Sequence, residues 1–67
     1  IGEMFHASPG STVSGNVTIG DRVFLGANSC IKEKITICDD VIIGSGSTVI
    51  KDITLPGAYV GNPAKKL

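Results

Sequence analysis

Aromatic residues are scarce in this chain of 67 residues, which has two Phe, one Tyr and no Trp. They make up 4% of the sequence, although hydrophobic residues of all kinds make up 42%. A chain of this length forms one small domain at most, and it buries only about 60% of the surface that its unfolded form exposes. Because a compact globule of this size normally has large side chains at its centre, the composition argues against an ordinary globular core.

Long hydrophobic runs and an excess of charge of either sign are also missing. The apolar runs are short, as at 41–43, and far below the length that crosses a bilayer. Six Lys and Arg balance six Asp and Glu, so the chain lacks the net positive charge that attracts nucleic acid or an anionic membrane. We therefore expect neither nucleic acid nor a membrane as a partner.

Cysteine is sparse, and no leader sequence is visible. Cys30 and Cys38 fit neither a zinc-binding pattern nor a disulfide framework, which favours a reducing compartment, the cytoplasm. The chain does not open with a charged segment, an apolar stretch and a cleavage site. Since it begins with Ile1, we expect it to be part of a longer protein.

What the sequence does have is a repeat of six residues. Ten complete hexads fill residues 1–60, and their first and fifth positions contain no charged residue, glycine or proline. Eight of the nine glycines fall at the second to fourth positions, where glycine permits a tight turn. The fourth positions include Asn16, Asn28, Asp40 and Asp52, whose short polar side chains tolerate left-handed backbone angles. Each hexad is therefore predicted to be a short strand followed by a turn, as in a β-helical solenoid.

Three hexads make one predicted coil of 18 residues. At this spacing similar residues fall into columns: Ser11, Ser29, Ser47; Val17, Ile35, Ile53; and Ile1, Ile19, Ile37, Leu55. Opposite charges also meet at this spacing, in the pairs Arg22–Asp40, Glu33–Lys51 and Lys34–Asp52. The spacing predicts a three-sided, all-β parallel solenoid whose columns of aliphatic side chains replace a globular core.

The hexads resemble those of the hexapeptide-repeat acyltransferases, as at Ile19-Gly20, Leu25-Gly26 and Ile43-Gly44. The resemblance implies a left-handed parallel β-helix, although parallel crossovers in general are right-handed. Four segments, at 6–10, 14–17, 51–53 and 60–65, resemble the branch of sialic-acid O-acetyltransferases and UDP-4-amino-sugar N-acetyltransferases. On this basis residues 1–60 are predicted to be coils of a longer β-helix and 61–67 a C-terminal tail.

The resemblance implies an activity and its partners. Enzymes of this branch transfer an acetyl group from acetyl-CoA, their co-substrate, to an amine or hydroxyl of a sugar or nucleotide sugar, in clefts between the subunits of a homotrimer. Their general base is a histidine oriented by an acidic neighbour. The matching position lies about nine residues before His6 and thus upstream of Ile1. We therefore expect the 67 residues alone to be inactive, and their catalytic residues are unknown.

Four coenzyme-binding residues follow from the same resemblance. His6 would lie near the thioester or the pantetheine arm, and the N–H of Gly15 would meet the thioester carbonyl and stabilise an oxyanion. The backbone amides of Ala27 and Ser45, 18 positions apart, would contact the pantetheine arm and the adenosine-phosphate end. From the residues alone, a solvated or structural role is favoured for His6 and an ordinary turn for Gly15, while Ala27 and Ser45 fit ordinary turns equally well.

Several alternatives remain open at this stage. The acceptor could be serine, a lipid precursor or an antibiotic, as in other branches, or the chain could be a non-catalytic β-helical module for assembly or ice binding. A zinc site like that of the β-helical carbonic-anhydrase relatives needs three histidines where this chain has one, so no metal is predicted. The lysines at 32, 34 and 51 could attract phosphates, but we expect ion pairs with Glu33 and Asp52 instead. Lys65 and Lys66 could reach a phosphate or form a solvated tail.

Overall fold

The computed structural model describes residues 4–67, and its regular secondary structure there is entirely β-strand. The strands are short because a turn interrupts the chain every six residues. In chain order they are β1 (His6–Ala7), β2 (Thr12–Val13), β3 (Thr18–Ile19), β4 (Phe24–Leu25), β5 (Cys30–Ile31), β6 (Thr36–Ile37), β7 (Val41–Ile43), β8 (Thr48–Val49), β9 (Gly57–Val60) and β10 (Lys65–Lys66). The predicted all-β solenoid is confirmed.

The strands stack into three sheets, which we call flats. Flat A has the order β1-β4-β7-β9-β10, flat B the order β2-β5-β8, and flat C the order β3-β6. Parallel pairs such as His6–Phe24, Thr12–Cys30 and Thr18–Thr36 join residues 18 positions apart. The predicted coil of 18 residues is therefore confirmed for the first two coils.

The turns between the flats form three corners of the prism. The AB corner consists of residues 8–11, 26–29 and 44–47, the BC corner of 14–17, 32–35 and 50–53, and the CA corner of 20–23, 38–41 and 54–57. At the AB corner the N–H of Ser29 donates to the carbonyl of Gly26 across the turn, and the N–H of Gly46 donates to the carbonyl of Ala27 one coil away. Corners as well as flats are therefore joined by backbone hydrogen bonds.

The fourth hexad position adopts left-handed backbone angles throughout the regular coils. The φ angle lies between 55° and 79° at Met4, Gly10, Asn16, Arg22, Asn28, Lys34, Asp40 and Gly46. The prediction is thus confirmed for Asn16, Asn28 and Asp40, whereas Asp52 is not among the residues with positive φ within 4–67. Arg22 and Lys34 adopt this conformation although long side chains disfavour it, because the position in the coil requires it.

The interior of the prism holds most of the first and fifth hexad positions, as predicted, whereas Ala7, Val13 and Leu55 at first positions are exposed. The buried hydrophobic residues are Ile19, Val23, Leu25, Ile31, Ile35, Ile37, Val41, Ile43, Val49 and Ile53. Ser29 and Ser47 are buried among them, and Ser11 is half-buried. Small and branched side chains fill this narrow interior, which explains why the chain needs so few aromatic residues.

The last coil is two residues shorter than predicted. Ile53 pairs with Ile37, and Tyr59 pairs with Ile43, so both offsets are 16 residues. The predicted columns ending in Leu55 and Ile53 are therefore wrong in their last members, and the side chain of Leu55 is 59% exposed. Ile1, the first member of one column, lies outside the described residues.

The side chain of Asp52 provides the physical reason for the shorter coil. Where an 18-residue register would bring the carbonyl of Ile53 to the N–H of Thr36, this N–H donates to Oδ1 of Asp52 at 2.8 Å. The carbonyl of Ile53 accepts from Cys38 instead. Beyond this point the chain folds back, and β10 pairs antiparallel with β9 in flat A.

Candidate functional site

The AB corner carries two of the four predicted coenzyme-binding residues. Ala27 and Ser45 lie one above the other in successive turns, half-buried and exposed respectively. Their N–H groups donate no hydrogen bond within residues 4–67. Two main-chain donors in successive coils are therefore free to bind a ligand that lies along this edge.

Small uncharged residues keep the AB corner accessible. The second position of these turns is Ser8, Gly26 or Gly44, and the corner has no charged side chain in residues 8–11, 26–29 or 44–47. A Cβ on Gly26 would lie 2.6 Å from the amide nitrogen of Ser45, so successive turns are in direct backbone contact. The backbone itself forms the surface at this corner, as contacts to main-chain amides require.

Gly15 lies on a different edge, the BC corner. Its carbonyl accepts from the N–H of Lys34 at 3.1 Å, while its own N–H, like those of Ala27 and Ser45, donates to nothing in the described part of the chain. A Cβ at Gly15 would have no heavy atom within 4 Å, and its φ is not in the left-handed region. Neither packing nor backbone angle therefore requires glycine at this position.

His6 lies on flat A, where its ring stacks on that of Phe24 with centroids 4.8 Å apart and planes 9° from parallel. Ile42 is the next residue in this exposed column. No carboxylate hydrogen-bonds to the imidazole within residues 4–67, so His6 lacks the acidic neighbour that would orient a general base. The structure thus distributes the four residues over one flat and two corners and does not bring them together in one pocket of one chain.

The CA corner is acidic, and the amide of Asp21 in this corner is occupied. The N–H of Asp21 donates to Oδ1 of Asp39 at 2.6 Å. Arg22 forms the predicted ion pair with Asp40 at 2.6 Å, and this hydrogen bond and charge lower the pKa of the Asp40 carboxyl and raise that of the guanidinium. This corner therefore repels an anionic ligand and offers it no free donor at Asp21.

The other two predicted ion pairs are absent from the described part of the chain. Lys51 does not reach Glu33 within 4.0 Å, and Lys34 does not reach Asp52. The expectation that cross-coil pairing would neutralise these lysines is therefore wrong. The reason for one of them is visible, because the Asp52 carboxylate binds the backbone of Thr36.

The described residues form neither a cluster of metal ligands nor a helix that could span a membrane. Among residues 4–67, no three His, Cys, Asp or Glu side chains lie close enough together to hold a metal ion. No helix in the same range is long and apolar enough to cross a membrane. Both cysteines are free thiols of intermediate exposure.

The apolar column of His6, Phe24 and Ile42 was not predicted. Phe24 is 41% exposed and Ile42 is 54% exposed, which is unusual for large hydrophobic side chains. All three residues occupy the sixth hexad position at a spacing of 18. Comparing sixth positions at that spacing would have revealed the column.

These coils belong to a known family. The family described as the hexapeptide repeat of succinyl-transferase matches residues 16–51, so the chain belongs to the hexapeptide-repeat transferases. The hexapeptide repeats of this family indicate that the parallel β-helix is left-handed, as the resemblance implied.

Solved structures give more specific similarities. The acetyltransferase domain of PglB from Neisseria gonorrhoeae FA1090, which has also been solved in complex with acetyl coenzyme A, is 36% identical with a TM-score of 0.90, over 94% of this chain and 31% of that chain. PerB from Caulobacter crescentus, in complex with CoA and GDP-perosamine, is 32% identical with a TM-score of 0.85, over 91% of this chain and 31% of that one. A maltose O-acetyltransferase from Clostridium difficile 630 is 28% identical with a TM-score of 0.77, over 96% and 55%. The chain thus spans about a third of the length of the first two relatives.

Proposed function

We propose that this chain is the β-helix part of an acetyltransferase that uses acetyl-CoA to acetylate an amine or hydroxyl of a sugar or nucleotide sugar. The observation that carries the proposal is the set of main-chain N–H groups at Gly15, Ala27 and Ser45 that donate no hydrogen bond to any residue from 4 to 67. The similarity to PglB and PerB, solved with acetyl coenzyme A and with CoA, supports the same co-substrate here.

The AB corner suits the pantetheine arm of the coenzyme. This arm is a flexible chain with amide carbonyls, and the N–H groups of Ala27 and Ser45 are donors at successive levels of the prism. The small side chains of this corner let such a chain lie directly on the backbone. Ala27 would bind the arm, and Ser45 would bind nearer the adenosine-phosphate end.

Gly15 would act on the reacting carbonyl. When the acceptor amine or hydroxyl attacks the thioester, a C–N or C–O bond forms, the C–S bond breaks and the coenzyme leaves as a thiol. Negative charge develops on the carbonyl oxygen, and a fixed N–H donor stabilises it. Because glycine is not needed at position 15 for packing, close approach to a ligand is a sufficient reason for its presence.

His6 would lie beside the thioester or the pantetheine arm rather than serve as the base. It stacks on Phe24, and no carboxylate orients it within the described residues. The proton of the acceptor would pass to a histidine that precedes Ile1 in the intact protein. The isolated 67 residues would therefore be inactive.

A binding cleft between two subunits would bring together site residues that lie on different corners of one chain. Gly15 on the BC corner of one copy and Ala27 on the AB corner of the next can then face the same ligand, as in a homotrimer. The exposed column of Phe24 and Ile42 supports such contacts, since exposed apolar patches commonly mark interfaces. Residues 1–60 would form the coils and 61–67 the tail that closes them, and the free thiols fit a cytoplasmic enzyme.

The test is acetyl transfer by the intact protein, followed as release of the CoA thiol with UDP- and GDP-linked amino sugars, maltose and serine as acceptors. We expect release with a sugar or nucleotide sugar. Gly15→Pro, which removes the N–H, should lower kcat by about 10²–10³-fold. Gly15→Ala keeps the N–H and is the matched control: it should retain far more activity than Gly15→Pro, and the loss that it does show measures the obstruction of the ligand by the added Cβ.

Thermal unfolding of both variants separates loss of activity from loss of fold. An unchanged kcat in a folded Gly15→Pro variant would show that Gly15 is an ordinary turn residue with no role in catalysis. Release with serine alone would assign the protein to another branch of the family, and release with no acceptor would favour a non-catalytic module.

A further inference from the structure

The net charge of zero conceals a strong separation of charge on the prism. Asp21, Asp39 and Asp40 lie together with Arg22 at the CA corner, and the AB corner is uncharged. All five lysines instead line two adjoining pockets at the BC corner and the last coil, and the side chain of one of them, Lys66, also lies against Gly57 of the CA corner. They are Lys32, Lys34, Lys51, Lys65 and Lys66, and we call the surface they line the lysine groove.

The two pockets form one continuous groove. The pocket at the BC corner has a volume of about 630 Å³, and the pocket against the last coil has a volume of about 350 Å³. They share Ile50, Lys51 and Asp52 as lining residues. A ligand that extends from one to the other would therefore pass Lys51.

The positive charge of the lysine groove is not compensated. None of its five lysines forms an ion pair or a side-chain hydrogen bond within residues 4–67. Glu33 and Asp52 are the acidic residues among them, and the Asp52 carboxylate accepts from the backbone of Thr36. Five cations thus face two carboxylates in a concave surface, which concentrates positive potential there.

The walls of the groove include apolar side chains at one end. Ile50, Tyr59 and Pro63 line the pocket at the last coil, so this end offers apolar contact. The hydroxyl of Tyr59 donates to the carbonyl of Leu55 at 2.7 Å, which holds its side chain in place. An anion with an attached uncharged group fits this combination better than a free inorganic ion.

We propose that the lysine groove binds the diphosphate of a nucleotide ligand, with the nucleoside against the apolar end. Lysine ammonium groups bind phosphate as point charges and need no fixed fork geometry, which suits an open groove. The groove adjoins Gly15, since the N–H of Lys34 donates to the Gly15 carbonyl. The inference rests on the proposed function, in which both acetyl-CoA and a nucleotide sugar contain such a diphosphate.

The binding test uses isothermal titration of the intact protein with inorganic pyrophosphate, ADP, GDP and CoA. Lys51→Gln, at the junction of the two pockets, should weaken binding of ADP or GDP about tenfold and reduce its salt dependence. Arg22→Gln, which removes a cation at the opposite corner, is the matched control and should bind as wild type does. Equal affinity in wild type and Lys51→Gln, or an equal loss in Arg22→Gln, would overturn the proposal.

Kinetics separate the two sources of the diphosphate and the two proposals. In Lys51→Gln a raised KM for acetyl-CoA would assign the groove to the coenzyme, and a raised KM for the nucleotide sugar would assign it to the acceptor. Acetyl transfer with both KM values unchanged would refute nucleotide binding by the lysine groove and leave the proposed function intact. Nucleotide binding that depends on Lys51, in a protein without transferase activity, would support the groove and refute the proposed function.

Discussion

Alanine substitutions at Gly26, Gly46 and Gly15 would distinguish three reasons why a position needs glycine: tight packing, a left-handed backbone angle and access for a ligand. At Gly26 a Cβ would lie 2.6 Å from the amide nitrogen of Ser45 and 2.8 Å from the carbonyl oxygen of Ile43, and both are backbone atoms. At Gly46 there is open space, but φ is 71°. At Gly15 there is open space and no left-handed angle.

The expected cost of Gly26→Ala follows from these distances. The next coil must move until its backbone reaches ordinary contact, and the hydrogen bond from the Gly26 N–H to the Ile43 carbonyl, now 2.8 Å, is stretched. Overpacking of this kind costs about 1–3 kcal/mol and the weakened hydrogen bond about 1 kcal/mol more, which gives about 2–4 kcal/mol. Gly46→Ala should cost about 1–2 kcal/mol for the left-handed angle. Gly15→Ala should change stability by less than about 0.5 kcal/mol.

Urea unfolding followed by far-ultraviolet circular dichroism measures all three, provided that the dependence on denaturant is unchanged. Typical domains have only about 5–15 kcal/mol of stability, so the Gly26 variant should be visibly less stable than the other two. If Gly15→Ala cost as much as Gly26→Ala, the distinction between a packed and an open glycine would be wrong, and so would the argument that ligand access explains Gly15.

Three further tests each concern one hydrogen bond, ion pair or backbone angle. Ser47→Ala should lower the free energy of unfolding by about 1 kcal/mol, because Ser47 Oγ accepts a hydrogen bond from a backbone N–H at 3.0 Å. Ser29→Ala should be neutral or stabilising, because the buried Ser29 Oγ has no hydrogen-bond partner in the described part of the chain. Equal losses of stability in urea unfolding would contradict this. Asp40→Asn keeps a residue that tolerates φ of 60° but removes an ion pair that lowers the pKa of Asp40 below its ordinary 3.8. The pair therefore stabilises the fold above about pH 4, and this stability is lost as the pH falls through the lower folded pKa. A difference in the free energy of unfolding between wild type and variant that does not shrink as the pH is lowered below about 4 would refute this. Lys34→Asn should raise the free energy of unfolding by about 1 kcal/mol, because φ at position 34 is 61° and asparagine tolerates this left-handed angle better than lysine. The control Lys32→Asn, where φ is not left-handed, should not raise it. Equal effects of the two substitutions on thermal unfolding would show that the backbone angle is not the cause.

Most of the fold was predictable because the coil imposes the same demand at every sixth residue. The interior positions had to be apolar or small, and Leu25 and Ile43 meet this demand in successive coils of flat A. The shorter last coil was not predictable, because the Asp52 side chain replaces a backbone acceptor only once the Thr36 N–H lies beside it. The hexad pattern at 52 and 55 looks regular in the sequence.

The candidate site was predictable in part. The turn positions of Gly15, Ala27 and Ser45 follow from the hexads, but only the structure shows that their N–H groups donate to no other described residue. The lysines were candidates for phosphate binding in the sequence, but ion pairs with Glu33 and Asp52 were expected instead. Only the structure shows that, within residues 4–67, these lysines form no ion pair and line adjoining pockets. Grouping charged residues such as Lys51 and Asp39 by corner would have shown their separation.

The edge of flat A has a consequence for association between molecules. Its outermost strand, β10, is only two residues long, runs antiparallel to β9 and consists of Lys65 and Lys66. An exposed sheet edge is a template for strands of other chains, and very short edge strands rich in lysine discourage such pairing. A solenoid whose repeats could otherwise continue end to end into a fibre is thus stopped on this side by two positive charges and a reversed strand.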